Sequence, residues 1–307
     1  MKKKPTVGET ADINDENNAR PDSSSHRYGG LWKEVWRRFR KNKAALVGLA
    51  LLILMIICAI FADQIAPYGY DDQDLSRAFQ KPCLEYPFGT DNVGRDILSR
   101  VIYGARISLR VGLISVSISV LCGGILGAIA AFYSARLDNI IMRCIDVLLA
   151  IPPVLLSISI AAALGPGLMN LMIAVGIGAI PSYARIVRAT VLSIKEQEFI
   201  EAARSIGASD FRIIAQHILP NALSPIIVQA TLGVADAILI AASLSFIGLG
   251  IQPPIPEWGG MLSAGRSYFR DYPHVIIFPG LAIMVTILAL NIVGDGFRDA
   301  VDPRMKN

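Results

Sequence analysis

Long stretches of apolar residues without charged side chains dominate the chain. The first, residues 44–61, follows a basic segment and contains no Asp, Glu, Lys or Arg. A helix needs roughly 20 apolar residues, within a range of about 17–25, to cross the hydrocarbon core of a bilayer. The pattern therefore predicts an all-α integral membrane protein with about six transmembrane helices. The other five stretches near this length are residues 111–132, 147–165, 167–184, 222–249 and 275–294.

Composition and charge agree with a membrane location and orient the chain. Hydrophobic residues make up 53% of the sequence and charged residues 18%, whereas a typical soluble domain has about 25% charged residues. Eleven Lys or Arg residues precede the first span, and basic residues favour the cytoplasmic side of a membrane. We therefore expect a lipid membrane, and no nucleic acid, as a partner. Both the N-terminus and, after six spans, the C-terminus are expected in the cytoplasm.

The predicted spans and loops divide the chain into five parts. Residues 1–30 form a polar tail that is expected to be disordered, because it has too few apolar residues to form a core. Trp258 and nearby tyrosines in the external loop at 250–274 are interpreted as anchors at the membrane interface, with a plug of the outer mouth as the alternative. The other four parts are an interfacial helix with the first span at 31–62, an external loop with an amphipathic helix at 63–110, a core domain at 111–298 and a cytoplasmic tail at 299–307.

The cytoplasmic loop at 193–220 is predicted to hold two short amphipathic helices joined at a glycine. Ser193 and Glu196 have the spacing of a capping box at the start of the first helix. Gly207 can take the positive φ angle that often ends a helix, and Ser209 can cap the second helix. The apolar faces of these helices must be covered, either by a docking partner or by the protein's own spans or the lipid surface. The predicted apolar faces are Phe199, Ala202, Ala203 and Ile206 in the first helix and Phe211, Ile214, Ala215 and Ile218 in the second, which Pro220 closes.

The same loop carries a motif that resembles one from a transporter family. Glu201-Ala202-Ala203, three residues, Gly207, nine residues and then His217-Ile218-Leu219-Pro220 are similar to the EAA motif of binding-protein-dependent ABC permeases. The chain departs from the usual motif at His217, where the family commonly has isoleucine. Further segments resemble the "C" permease subunits of the dipeptide and oligopeptide branch, at residues 88–100, 217–221, 243–259 and 294–304.

The resemblance implies a type I ABC importer permease fold and a place in a larger complex. In that family two homologous permease subunits form the pore, two ABC ATPase subunits bind ATP, and an external substrate-binding protein delivers the solute. The implied substrates are dipeptides, oligopeptides or glutathione-like peptides, with a nickel or other small-solute importer as the alternative. The implied location is a bacterial or archaeal cytoplasmic membrane. The implied ATPase-coupling residues are Glu201, Ala202, Ala203, Gly207, His217, Leu219 and Pro220.

The residue types argue against catalysis by this chain. A Walker A loop needs a Gly-Lys dipeptide to hold phosphates, and the sequence contains none, so no cofactor is expected in this chain and ATP is expected on partner subunits. The four cysteines form no CxxC pair and the three histidines lie far apart, so no metal site is predicted. An intramembrane enzyme is the alternative from another class, but no histidine falls within a predicted span to activate a nucleophile. A secondary transporter is a second alternative, but it would typically have several intramembrane acids, and Asp236 is the one clear acid within a predicted span.

Asp236 is the one clear acid within a predicted span. A carboxylate near the bilayer centre costs about 2.5–3.5 kcal/mol on insertion scales, so its side chain should face protein or water. We expect Asp236 either to line the substrate pathway, where it could meet an ammonium group, or to make a structural hydrogen bond or ion pair between helices.

Overall fold

A computed structural model describes residues 28–301, with side chains from residue 34 onward. Most of the predicted tails at 1–30 and 299–307 therefore lies outside the described residues. Within them the chain forms twelve α-helices and no β-strand. The helices are α1 (Tyr28–Phe39), α2 (Lys43–Ile60), α3 (Ala62–Ile65), α4 (Ile97–Phe132), α5 (Ala135–Leu149), α6 (Pro153–Leu164), α7 (Leu168–Lys195), α8 (Glu198–Ser205), α9 (Asp210–Ile213), α10 (Leu219–Phe246), α11 (Trp258–Gly265) and α12 (His274–Val301).

Five helical stretches are long and apolar enough to cross a membrane, namely α2, α4, α7, the stretch Asp210–Phe246 that contains α9 and α10, and α12. The number rises to six if α5 and α6 together count as one span. These two helices meet at an angle of 86°, so the segment predicted as a span at 147–165 is sharply bent near its start. The break lies at Pro152, because proline has no backbone N–H to donate and disfavours a helical conformation in the residue before it.

The helix α4 joins two elements that the sequence pattern separates. An amphipathic helix at 95–110 and a span at 111–132 are predicted, whereas the structure has one helix of 36 residues, about 54 Å long at 1.5 Å per residue. Asp96 caps it, because its Oδ2 accepts hydrogen bonds from the backbone N–H and the hydroxyl of Ser99 at 2.7 and 2.6 Å. Arg100 is buried and donates to two loop carbonyl oxygens. The N-terminal part of α4 is thus packed against the loops that contain Tyr70 and Pro254.

The helices α4 and α7 pack closely because small residues face their contact. A Cβ on Gly127 would lie 2.3 Å from the carbonyl oxygen of Ala184, and one on Gly123 would lie 2.7 Å from another α7 carbonyl oxygen. The hydroxyls of Ser115 and Ser119 donate hydrogen bonds to α7 carbonyl oxygens at 3.0 and 2.7 Å. This pair forms the centre of the bundle, and the loop between α7 and α10 packs on its C-terminal ends.

Trp258, predicted as an exposed interface anchor, is fully buried at the start of α11. Its Nε1 donates a hydrogen bond to the Val101 carbonyl oxygen of α4 at 3.0 Å, and a Cβ on Gly104 would lie 2.8 Å from the indole ring. The neighbouring Glu257 accepts hydrogen bonds at 2.9 and 2.8 Å from two backbone N–H groups of α11. Burial raises the pKa of the Glu257 carboxyl group. These contacts fix α11 to the outer part of α4.

Candidate functional site at the loop between α7 and α10

The loop between α7 and α10 begins later in the chain than the sequence pattern predicts, and its second helix does not end where the pattern predicts. Ser193 lies inside α7, and the residue that precedes α8 is Gln197, whose side chain makes no capping hydrogen bond. The predicted capping box at Ser193 and Glu196 is therefore wrong. Pro220 does not close the second helix either, because helical structure continues through α9 and a π-helical turn into α10. The π-helical turn ends at Ile218, two residues before Pro220, whose nitrogen cannot donate a hydrogen bond within the helix.

Gly207 forms the bend between α8 and α9. Its φ angle is +79°, which confirms the predicted positive value, and its N–H donates to the Arg204 carbonyl oxygen at 2.9 Å. No atom lies within 4 Å of the position that a Cβ would occupy. Ser209 caps α9 as predicted by accepting a hydrogen bond from the Arg212 N–H at 3.4 Å. The requirement for glycine at residue 207 is therefore conformational and not steric.

The inner face of the loop is buried against the C-terminal ends of α4 and α7. Of the predicted apolar faces, only Ala203 and Ile218 are buried, whereas the pattern missed Ile200 and Ile213. The buried side chains of the loop form one cluster with residues of α4 and α7, which attaches the base of the loop to the bundle. Its buried members are Ala131, Phe132, Val187, Val191, Ile200, Ala203, Ile213 and Ile218.

None of the residues that the structure describes covers the outer face of the loop. Ile206 and Phe211 keep 86% and 81% of their surface exposed, and Phe199, near the start of α8, is also exposed. We call these three residues the apolar tip. Glu201 and Ala202 are exposed on the same loop. The remaining predicted coupling residues lie at the α10 end, where Leu219 is exposed and His217 and Pro220 are half-buried.

Lys195 links the loop to the end of α4. Its Nζ donates hydrogen bonds to the carbonyl oxygens of Ala131 and Phe132 at 3.0 and 2.8 Å. The last carbonyl oxygens of a helix have no partners within the helix, and a cation is favourable there. The Lys195 Nζ and the guanidinium carbon of Arg204 each lie 5.7 Å from the centre of the Phe132 ring. These contacts, across more than sixty residues of sequence, had no signal in the sequence pattern.

Two ion pairs attach α5 to α7 beside the loop. Arg188 binds both carboxylate oxygens of Asp138, at 2.5 and 2.6 Å, in the bidentate geometry that is strongest for this pair. Arg185 contacts Asp146 at 2.8 Å, but both side chains are exposed, so this pair stabilises little. These ion pairs join α5 to α7 next to the base of the loop. The bent α5–α6 pair is therefore attached there as well.

An open cavity of about 450 Å³ lies beside α8. Both acidic and basic side chains line it, so it suits a polar segment of another protein better than an apolar ligand. Within the described residues, no group of three or more His, Cys, Asp or Glu side chains could hold a metal ion. The cavity is lined by Leu192, Lys195, Glu196, Gln197, Ile200, Glu201 and Arg204.

Asp236 lies apart from the loop, in the middle of α10. Its side chain is exposed, whereas its neighbours Ala235 and Ala237 are buried inside the bundle. Among the described residues its side chain has no hydrogen-bond or ion-pair partner.

Comparison with known proteins places these features in one family. Residues 123–307 match the family described as binding-protein-dependent transport system inner membrane component, and residues 30–82 match the N-terminal transmembrane domain of oligopeptide transport permease C. Similar chains include a dipeptide transport system permease protein DppC of Alkalihalophilus pseudofirmus, 46% identical over 95% of this chain and 96% of the relative. A glutathione transport system permease protein GsiD of Escherichia coli is 48% identical over 90% and 91%.

A solved structure shares the fold. A chain of the inward-facing MetNI methionine ABC transporter has a TM-score of 0.56 and 19% identity, and covers 66% of this chain and 96% of its own length. The family and these relatives are transport permeases and not enzymes. The chain therefore belongs to the binding-protein-dependent transport system inner membrane component family, as a multi-pass permease of an ABC importer.

Proposed function

We propose that this chain is one of two homologous pore subunits that translocate peptides of the dipeptide, oligopeptide or glutathione-like class. Two separate ATPase subunits would bind and hydrolyse ATP on the cytoplasmic side, and an external binding protein would deliver the peptide. The substrate class is supported by the names of relatives that are 44–48% identical over at least 90% of this chain. The observation that carries the mechanism is the loop between α7 and α10, with its buried base and uncovered tip.

The loop combines an exposed tip with a buried base, as the transmission of motion from a partner subunit requires. Its apolar tip would enter a groove of an ATPase subunit, where burial of Ile206 and Phe211 is favourable. Glu201, exposed on the same loop, would pair with a basic residue of that groove. At the base, Ile200 and Ala203 pack against the bundle, and Lys195 holds the end of α4. Movement of the tip would therefore displace α4 and α7 together.

The charge distribution supports a cytoplasmic position for this loop. The segment from α1 to the start of α2 is rich in Arg and Lys, and basic flanks stay in the cytoplasm. Counting α5–α6 as one span then places the loop between α7 and α10 on the same side as α1. ATPase subunits that consume cytoplasmic ATP can contact the chain only on that side.

Reversing the charge of Glu201 tests this function directly. We expect Glu201→Lys to abolish uptake of a labelled dipeptide, because the variant offers a cation to a basic groove, while the amount of protein in the membrane stays normal. Uptake by the wild type should be reduced by unlabelled dipeptide or glutathione and not by Ni²⁺. The measurements are uptake in membrane vesicles, ATPase co-purification and substrate-stimulated ATP hydrolysis.

Asp271→Lys is the matched control for this experiment. Asp271 is also exposed, but it lies in the external loop before α12, so the same charge reversal should leave the ATPase bound. Normal uptake by Glu201→Lys would show that the loop is a passive connector. Competition by Ni²⁺ alone would overturn the peptide assignment and leave the coupling role intact.

We also propose that Asp236 faces the translocation pathway, at the boundary with the second permease subunit. An exposed carboxylate in α10 is unfavourable in lipid, and this chain supplies no partner for it among the residues that the structure describes. Asp236→Asn is expected to assemble normally but to lower peptide uptake several-fold, because it removes the charge that would meet a substrate ammonium group. The check is uptake normalised to the amount of assembled complex. Unchanged uptake by Asp236→Leu would contradict both the pathway position and any need for a polar group.

A further inference from the structure

An apolar groove lies where α1 meets the cytoplasmic ends of α2 and α12. Its volume is about 200 Å³ and its lining is entirely apolar. Neither the coupling loop nor Asp236 contributes to it. The lining residues are Val35, Trp36, Phe39, Leu49, Val293 and Phe297.

The groove is a fixed feature of the fold. Phe39 is buried, and Gly296 of α12 allows the approach of α2, because a Cβ on Gly296 would lie 2.4 Å from the Cβ of Ala45. Asn42 caps α2 by accepting a hydrogen bond from the Ala45 N–H at 3.2 Å, which sets the turn between α1 and α2. Trp36 stacks on Phe39 with ring centres 5.8 Å apart, yet 52% of its surface remains exposed. The open side of the groove is therefore at Trp36.

The surroundings of the groove indicate lipid. Leu46 and Ile53 of α2 lie one helical turn before and after Leu49, and 37% and 47% of their surfaces are exposed, so the apolar lining continues along α2 onto an exposed apolar face. Val35, Trp36 and Phe39 of α1 line the groove, whereas Arg37 of the same helix is exposed; a helix with an apolar and a basic side is typical of a membrane surface. An acyl chain that enters the groove would extend naturally from the surrounding leaflet.

The charges at the rim select an anionic headgroup. Arg37, Arg40, Lys41 and Lys43 are exposed, and in the part of the chain that the structure describes none of the four has an ion-pair partner. Arg38 pairs with Glu34 at 2.6 Å. Among the described side chains of residues 34–43 and 295–299 there are six cations and three carboxylates, so the chain near the groove carries a net positive charge. They are Arg37, Arg38, Arg40, Lys41, Lys43 and Arg298 against Glu34, Asp295 and Asp299.

We propose that this groove binds an anionic phospholipid of the cytoplasmic leaflet. One acyl chain lies against Trp36 and Phe39, and the headgroup phosphate contacts Arg40, which is one helical turn from Trp36 on the same face, together with Arg37 and Lys41. Such a lipid stabilises the position of α1 against α2 and α12.

Fluorescence of Trp36 tests the proposal independently of transport. The intact importer, purified with its partner subunits, is placed in nanodiscs that contain brominated phosphatidylglycerol or brominated phosphatidylcholine, and the Trp36 signal is the difference between wild type and Trp36→Phe. We expect brominated phosphatidylglycerol to quench this signal at a roughly tenfold lower mole fraction, because Lys and Arg side chains near the membrane surface favour the binding of anionic lipid.

Matched variants separate a headgroup site from a general attraction. Arg37→Gln combined with Arg40→Gln and Lys41→Gln is expected to remove the preference for phosphatidylglycerol. Arg136→Gln combined with Arg143→Gln, which removes exposed cations from α5, should retain it. Equal quenching of the wild type by both lipids would overturn the anionic specificity. Absence of quenching would show that a protein segment covers the groove, and a preference that survives the triple substitution would rule out these cations.

Discussion

Replacing Gly207 by valine is expected to abolish uptake while the protein remains inserted in the membrane. Valine would be forced into the positive φ region at +79°, which costs on the order of 1–3 kcal/mol for a residue with a Cβ and is least favourable for a β-branched one. The strain is relieved by straightening the bend, which moves the apolar tip away from its position on the base. We therefore expect loss of bound ATPase or ATP hydrolysis that no longer responds to peptide.

Gly207→Asn is the matched control, because asparagine tolerates positive φ better than other residues that carry a Cβ. The space around Gly207 is empty, so the size of either side chain is not a factor. Asparagine should retain most of the uptake and valine should not. Comparable loss in both variants would mean that φ is not the requirement, and full activity in both would mean that the bend transmits no motion.

Replacing Gly127 by valine is expected to have the largest effect on the folded protein. A Cβ at residue 127 would lie 2.3 Å from the Ala184 carbonyl oxygen and 2.9 Å from the Arg188 backbone nitrogen. Both contacts are backbone atoms of α7, which cannot move aside as a flexible side chain can. The helices would separate at a cost of about 3 kcal/mol or more, the upper end of overpacking effects. Their separation would also disturb the ion pair of Arg188 with Asp138.

Gly124→Val provides the comparison on the same helix. No atom lies within 4 Å of a Cβ at residue 124, so the substitution changes helix propensity in the same way without a clash. The measurement is the amount of monodisperse protein in mild detergent and its thermal unfolding midpoint. We expect near-normal values for Gly124→Val and a strong loss for Gly127→Val. Similar behaviour of the two variants would contradict the close packing of α4 on α7.

The sequence was sufficient for features that depend on local chemistry. The lengths of the apolar stretches predict the number of spans, because the thickness of the hydrocarbon core sets the length of a span. The bend at Gly207 was predictable because positive φ is accessible mainly to glycine, and so was the cap at Ser209. The motif around Glu201 is contiguous in the chain and indicates the family by itself, although the coupling role of its residues remains a prediction.

Other features were decided only by contacts between distant segments. Both faces of α8 carry apolar residues, and the cluster around Phe132, far away in sequence, buries Ile200 and leaves Ile206 exposed. The contact of Lys195 with the end of α4 has the same origin, since a long side chain reaches whichever carbonyl oxygens the packing brings near. The prolines at 152 and 153 indicate a kink between α5 and α6, but the 86° angle of the bend was not predictable from the sequence. Apolar content predicts that a segment lies in the membrane, but its path there is decided by the helices that pack against it.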